Sequence, residues 1–143
     1  MKRPLSPREV PSEWFRKADK DMKMAEIALR ETDEVNDLIS FHAQQCTEKY
    51  LKGALVFLKI QPPKTHDLSR LYELLTPFWP DIPFAAREVI GLTLYAISSR
   101  YPDEWEDITL DEARQAVAMA KRVRKAVKAY LKARGFVKAQ IGR

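Results

Sequence analysis

Cysteine occurs once in these 143 residues, histidine twice and glycine four times. A single thiol cannot close an internal disulfide, so a reducing, cytoplasmic compartment is expected. Two histidines are few for a metal centre, because a zinc site needs three or four protein ligands. The scarcity of glycine goes with the lack of any sustained apolar–polar alternation, and strands are not indicated. No apolar run approaches the roughly 18–20 residues that span a bilayer, so no membrane contact is expected. The opening MKRPLSPREVPSEW has no apolar core of the secretory kind.

Acid is missing from one end. From Lys121 onward there are nine Lys or Arg and no Asp or Glu, so residues 1–120 hold sixteen bases against all twenty acids. The net charge of +5 therefore belongs to the C-terminal end rather than to the body. That is weaker evidence for nucleic-acid binding than a basic body would be. What is present in quantity, 45% hydrophobic and 31% charged residues, describes an ordinary globular chain long enough for one core.

The periodicity is helical. Pro11-Ser12 opens a first helix, with Ser12 as the expected N-cap, and Trp14, Ala18, Met22, Ala25 and Leu29 share a face to about residue 31. Thr32 and Asp33 mark a turn, and a second helix runs from about 34 to 60, stopping before Pro62-Pro63. Asp67 can cap a short third helix whose Leu68, Leu71, Leu74 and Leu75 face inward. TPFWPDIP (76–83), with three prolines, must be a loop. A fourth helix follows from about Phe84 to Ser99, with Val89, Leu92, Tyr95 and Ala96 on one side, and Tyr101-Pro102 ends it. The last helix starts on a capping box, Thr109 with Glu112, buries Ala113, Val117, Ala120, Val123, Val127 and Tyr130, and stops at Gly135. The fold class expected is all-α: an up-and-down antiparallel four-helix bundle with an additional short helix. Residues 12–135 make the bundle, 1–11 an N-terminal extension and 136–143 a basic tail.

Helix two contains ISFHAQQCTEKYLKG (39–53), where histidine, cysteine, glutamine, glutamate and lysine crowd together. At 100° per residue, Ile39, Ala43, Cys46, Tyr50, Ala54 and Phe57 fall on one apolar stripe. Leu51, Leu55, Leu58 and Phe41 lie beside it, and His42, Gln45, Lys49 and Lys52 share the remaining arc. Cys46 thus belongs to packing, and a thiol buried this way is inert. The apolar sector is wider than one core face requires, so the helix is either central in the bundle or also buried in an oligomer interface. The polar arc reads either as a solvated face or as the floor of a groove suited to phosphate.

FHAQQCTEKYLKG (41–53), PKTHDL (63–68) and SSRYPDEW (98–105), in this order and spacing, resemble the HEPN family, small helical bundles often encoded beside a minimal nucleotidyltransferase. The resemblance covers about residues 12–134. It implies a four- to five-helix bundle, commonly a homodimer, with a cleft near the dimer interface. Many members cleave RNA with an Arg followed, four to six residues on, by a His. This chain departs from that pattern: no arginine stands in that window before His42 or His66, and no histidine follows Arg100. What remains resembles the non-ribonuclease branch, for which nucleotide binding has been proposed. Carried over by position, its candidate nucleotide- or phosphate-binding residues are His42, Gln45, Lys49, Arg100 and Tyr101, with His66 and Asp67 as a loop motif.

Arg100 has the chemistry best matched to bidentate phosphate contact, with pairing to Asp103 or Glu104 as its plain alternative. His66 and Asp67 have a structural alternative too, fixing the loop and capping helix three. No catalytic set, metal or other cofactor is implied. The expected function is a HEPN binding module for a nucleotide or nucleic-acid phosphate, acting with a separate minimal nucleotidyltransferase in a toxin–antitoxin-like pair. The alternative is an RNA-cleaving HEPN toxin using a non-standard His42/Arg100 pair, if the bundle brings the two together. A third reading gives the basic 121–134 surface an acidic partner or an RNA backbone.

Overall fold

The computed structural model describes residues 3–31, 35–98 and 107–136, with the side chains of 94–98 excepted. Among the described residues five α-helices follow a 3-10 turn at Pro7–Glu9: α1 Pro11–Leu29, α2 Asn36–Phe57, α3 Leu68–Leu75, α4 Ala86–Ser98 and α5 Leu110–Ala133. They form an up-and-down bundle, and no strand occurs among the described residues.

Helix α2 is the axis of the molecule. It packs against α1, α5, α3 and α4, and residues on nearly every side of it are buried, including Ile39, Ala43, Cys46, Tyr50, Leu51, Ala54 and Leu55. Most of the wide apolar sector seen in the sequence is therefore consumed within one chain, with Phe41, Phe57 and Leu58 only partly buried. Polar side chains are buried along with it: Ser40, Gln44, Thr47, Glu48 and Lys52. Burying such groups is costly unless each finds a partner, and that requirement shapes the site.

The α1–α2 contact is close. Gly53 faces Phe15, whose ring stacks on Tyr50 at 5.1 Å and takes Phe136 edge-on at 5.8 Å. On α1, Phe15, Ala18, Met22 and Ala25 are buried, while Trp14 and Leu29 are only partly so. Ser12 is not the N-cap. Val10 is, and Pro11 takes the first helical position, where its missing N–H costs nothing. Ser12 is instead buried, and its Oγ has no hydrogen-bond partner among the described residues.

The other ends follow their local chemistry. Asp67 caps α3, accepting a hydrogen bond from the Ser69 N–H at 3.0 Å. Thr109 accepts from the Glu112 N–H at 3.1 Å while Glu112 accepts from the Thr109 N–H at 3.2 Å, a complete capping box on α5. All six inward residues expected on α5 are buried. Helix α5 stops in a Schellman turn: Gly135 has φ +86°, with Phe136 N–H donating to Leu131 O and Gly135 N–H to Lys132 O. Helix α2 stops the same way, but with Lys59 in the left-handed position at φ +64°. Helix α4 spans Ala86–Ser98, starting two residues after the expected Phe84, with the expected end at Ser99 outside the described residues, and Val89 and Leu92 are buried. In the 76–83 loop Trp79 is buried against Tyr130, ring centroids 4.3 Å apart, while Phe78 remains half-exposed. Tyr95 and Ala96 have side chains outside the described set. The turn at Thr32-Asp33 and the Tyr101-Pro102 stop lie wholly outside the described residues.

Candidate functional site

Three carboxylates organise the polar residues of α2, and none of them was among the expected site residues. Asp21, on α1 beside the buried Met22, reaches across to α2. His42 Nδ1 lies 2.9 Å from Asp21 Oδ1, and the Lys49 ammonium donates to Asp21 Oδ2. A carboxylate only accepts, so the proton of this contact sits on His42 Nδ1 and Nε2 is the nitrogen left for other work. Asp21 is 13% exposed at its side chain, and His42 and Lys49 are each about a quarter exposed, so the cluster is screened but reachable. Gln45 stands beside it, its Nε2 donating to Gln44 Oε1 at 2.6 Å.

Glu48 makes the second cluster. It is buried, with Lys52 Nζ at 3.0 Å, His66 Nδ1 at 2.8 Å and Gln44 Nε2 at 3.3 Å. Gln44 Nε2 also lies 3.3 Å from the His66 carbonyl oxygen. These contacts supply the partners that a buried carboxylate needs, and they fasten the 59–67 loop to α2. Asp67, next in the chain, is the α3 cap, and its own N–H donates to Thr65 Oγ1 at 3.0 Å. His66 and Asp67 therefore hold a loop and start a helix. The His66 side chain is half-exposed and, with Lys52, also lines a groove at that end of the bundle.

The third cluster joins three helices. Asp19 of α1 accepts from the Tyr50 hydroxyl of α2 and, at 2.9 Å, from Arg124 Nε of α5. Burial, reinforced by Asp19, pushes the Tyr50 hydroxyl well above its ordinary pKa. Burial is also the main cause at Cys46, with Asp19 and Asp21 adding to it, and the thiol is pushed up to about 12. Cys46 is fully buried and free, so it stays a neutral packing group and not a nucleophile. Among the described residues no group of three or more His, Cys, Asp or Glu could hold a metal ion.

The structure thus joins His42 and Lys49 through Asp21, while Gln45, one helical turn from each, bonds instead to Gln44. It places His66 and Asp67 elsewhere, on the loop into α3. Arg100 and Tyr101 lie outside the described residues. Asp19, Asp21 and Glu48 are the residues that sequence reasoning missed. Glu48 had a signal, since it stands four residues after Gln44 and four before Lys52 on one helix face. Asp21 had none, because its partners are on another helix.

Residues 11–130 match the HEPN domain family, and the chain belongs to it. Two solved structures share the fold. The chain is 24% identical to TT1696 from Thermus thermophilus, with 83% of this chain and 96% of that one covered and a TM-score of 0.69. It is 29% identical to ST0689, an archaeal HEPN homologue, with 91% and 98% covered and a TM-score of 0.65. Among curated proteins no sequence relative matches this chain. No described helix is long and apolar enough to cross a membrane.

Proposed function

We propose that this HEPN chain is a binding module for a phosphate-bearing ligand, a nucleotide or a nucleic acid, and that it works as a homodimer beside a separate minimal nucleotidyltransferase. The observation supporting this reading is the Asp21 cluster. One partly buried carboxylate fixes two side chains able to carry positive charge, His42 and Lys49, on the same stretch of α2. Side chains held by such contacts lose little freedom when a ligand arrives, so the phosphate meets a prepared surface. Arg100 and Tyr101, outside the described residues, enter this reading through the family resemblance alone, and Gln45 is the neighbouring amide on α2.

Calorimetry with ATP and GTP tests the reading. Binding is expected, and Lys49→Ala or Arg100→Ala should weaken it about tenfold, roughly 1.4 kcal/mol each. Absence of nucleotide binding, together with no nucleotidyltransferase copurifying from the native host, ends the proposal. A monomer in light scattering at micromolar concentration removes the dimer from it.

A second reading has one observation in its favour. Asp21 holds His42 through Nδ1, as a carboxylate orients the base of a hydrolytic triad, and Nε2 is then a lone-pair acceptor able to take a proton from a 2′-hydroxyl. On this reading the chain cleaves RNA, with Arg100 stabilising phosphate charge. Purified protein should then degrade a mixed RNA pool and His42→Ala should not; RNA left intact by the wild type excludes it.

A further inference from the structure

A groove of about 850 Å³ opens where the N-terminal approach to α1, the last turn of α2 and the 59–66 loop meet. It is a different place from the Asp21 cluster. Lys52 on its wall stands ten residues beyond His42, about 15 Å along the α2 axis.

The charges inside this groove divide into spent and unspent. Glu9 is held by Arg3 and by the Ser6 N–H, contacts that draw its carboxyl down to about 2, the Arg3 bond first. Lys52 is committed to buried Glu48. Arg8, Lys59 and Lys64 are exposed, line the groove, and have no carboxylate partner among the described residues. Between them runs an apolar wall that includes Trp14, Pro62 and Pro63. The Trp14 ring is fixed, its Nε1–H donating to the Arg8 carbonyl at 2.9 Å, and it is only partly buried.

Lys59, the one non-glycine with positive φ among the described residues, lies on this rim. Lys59 holds φ +64° in a helix stop where glycine sits without penalty. The backbone bears that strain and in return a cation stands over the groove. Strain of this sort concentrates at binding sites, and here it coincides with a cavity and two more unpartnered cations.

We infer that this groove binds a short run of single-stranded nucleic acid, with phosphates on Arg8, Lys59 and Lys64 and an unstacked base against Trp14. Unpartnered cations around a fixed aromatic ring are the two parts from which single-strand sites are made. A duplex hides its base faces and leaves the Trp14 wall unused. The volume stands near the top of the range of about 300–1,000 Å³ for a single small ligand, which leaves room for more than one nucleotide unit.

Fluorescence anisotropy with short labelled single strands of RNA and DNA tests this. The triple reversal Arg8→Glu, Lys59→Glu, Lys64→Glu should weaken binding at least about tenfold. It should also flatten the plot of log affinity against log salt by about 2, from three lost phosphate contacts at ~0.7 each. Reversing Lys121 and Lys125 on α5 should change neither quantity. Lys59→Gly guards against misfolding of the triple variant: it should raise the urea midpoint yet weaken strand binding about threefold, a split that a merely structural lysine would not produce. The inference is overturned if the wild type binds no strand, if duplex or free ATP competes as well as the strand, or if the α5 reversal costs as much as the groove reversal. Strand binding lost with His42→Ala and Lys49→Ala but kept by the groove variants would also overturn it, while leaving the Asp21 reading in place.

Discussion

At Gly53 the absence of one methyl group decides how closely two helices approach. A Cβ built there would come within 2.9 Å of Phe15 Cδ1 and closer still to Cε1. Phe15 cannot yield easily, because Tyr50 and Phe136 hold its ring from two directions. Alanine improves helix propensity by about 0.5–1 kcal/mol, but overpacking a filled core costs about 1–3 kcal/mol. Gly53→Ala should therefore destabilise the protein by about 1–2 kcal/mol, read as a lower urea midpoint with an unchanged slope. Cys46 carries a prediction in pH. Its folded pKa, about 12, lies above the ordinary thiol value. The stability it contributes is thus fully present below pH ~9 and is lost as pH rises toward 12, because the unfolded chain ionises first. Native protein at pH 8 should leave a thiol reagent unconsumed until denaturant is added. Cys46→Ala should remove this thiol's share of the alkaline loss, read by comparing the two stability–pH curves.

At the scale of the element, α5 shows a helix specified at both ends by its own residues. The Thr109–Glu112 box satisfies free N–H groups at its start, and the Gly135 Schellman turn satisfies carbonyls at its stop. Thr109→Ala should cost about 1 kcal/mol, measured by thermal or urea unfolding, and Thr109→Ser much less. Helix α1 shows the opposite case. Ser12 has the composition of a cap but lies inside the helix, since Pro11 already fits the first position and Val10 supplies the turn. Helix α3, eight residues long, is too short to stand alone and depends on the Asp67 cap and on buried Leu68, Leu71 and Leu75.

At the scale of the whole molecule, the central position of α2 has consequences for cooperativity and for function. A helix that touches all four others cannot be lost while the rest persists. Urea unfolding should accordingly be one transition, the same by far-UV circular dichroism and by fluorescence of the three tryptophans, of which Trp14 sits on α1 and Trp79 in the α3–α4 link. Two separated transitions would show that the bundle is divided. The same centrality explains why polar chemistry gathers on α2. Its polar residues meet carboxylates from its own turns and from α1, so Asp19, Asp21 and Glu48 each become the hub of a contact set.

Much of this was legible in the chain. The five helices, the caps at Asp67 and Thr109, the stop at Gly135 and the packing role of Cys46 all follow from spacing and local chemistry, which act within a few residues. The motifs of α2 and of the 63–68 loop also marked the family. What spacing could not reveal was who meets whom. It placed His42 and Lys49 on one arc, yet nothing local to α2 announced that Asp21, two dozen residues earlier, would bind both. It read 61–66 as a link between helices and 59–60 as helix, and only folding turned 59–66 into the wall of a groove with Trp14 and Arg8. Helical periodicity is a property of neighbours along the chain, whereas a carboxylate's partners and a groove's walls are set by which helices pack together. For this protein the sequence determined the elements and the family; tertiary packing decided which charges are spent and which are free to bind.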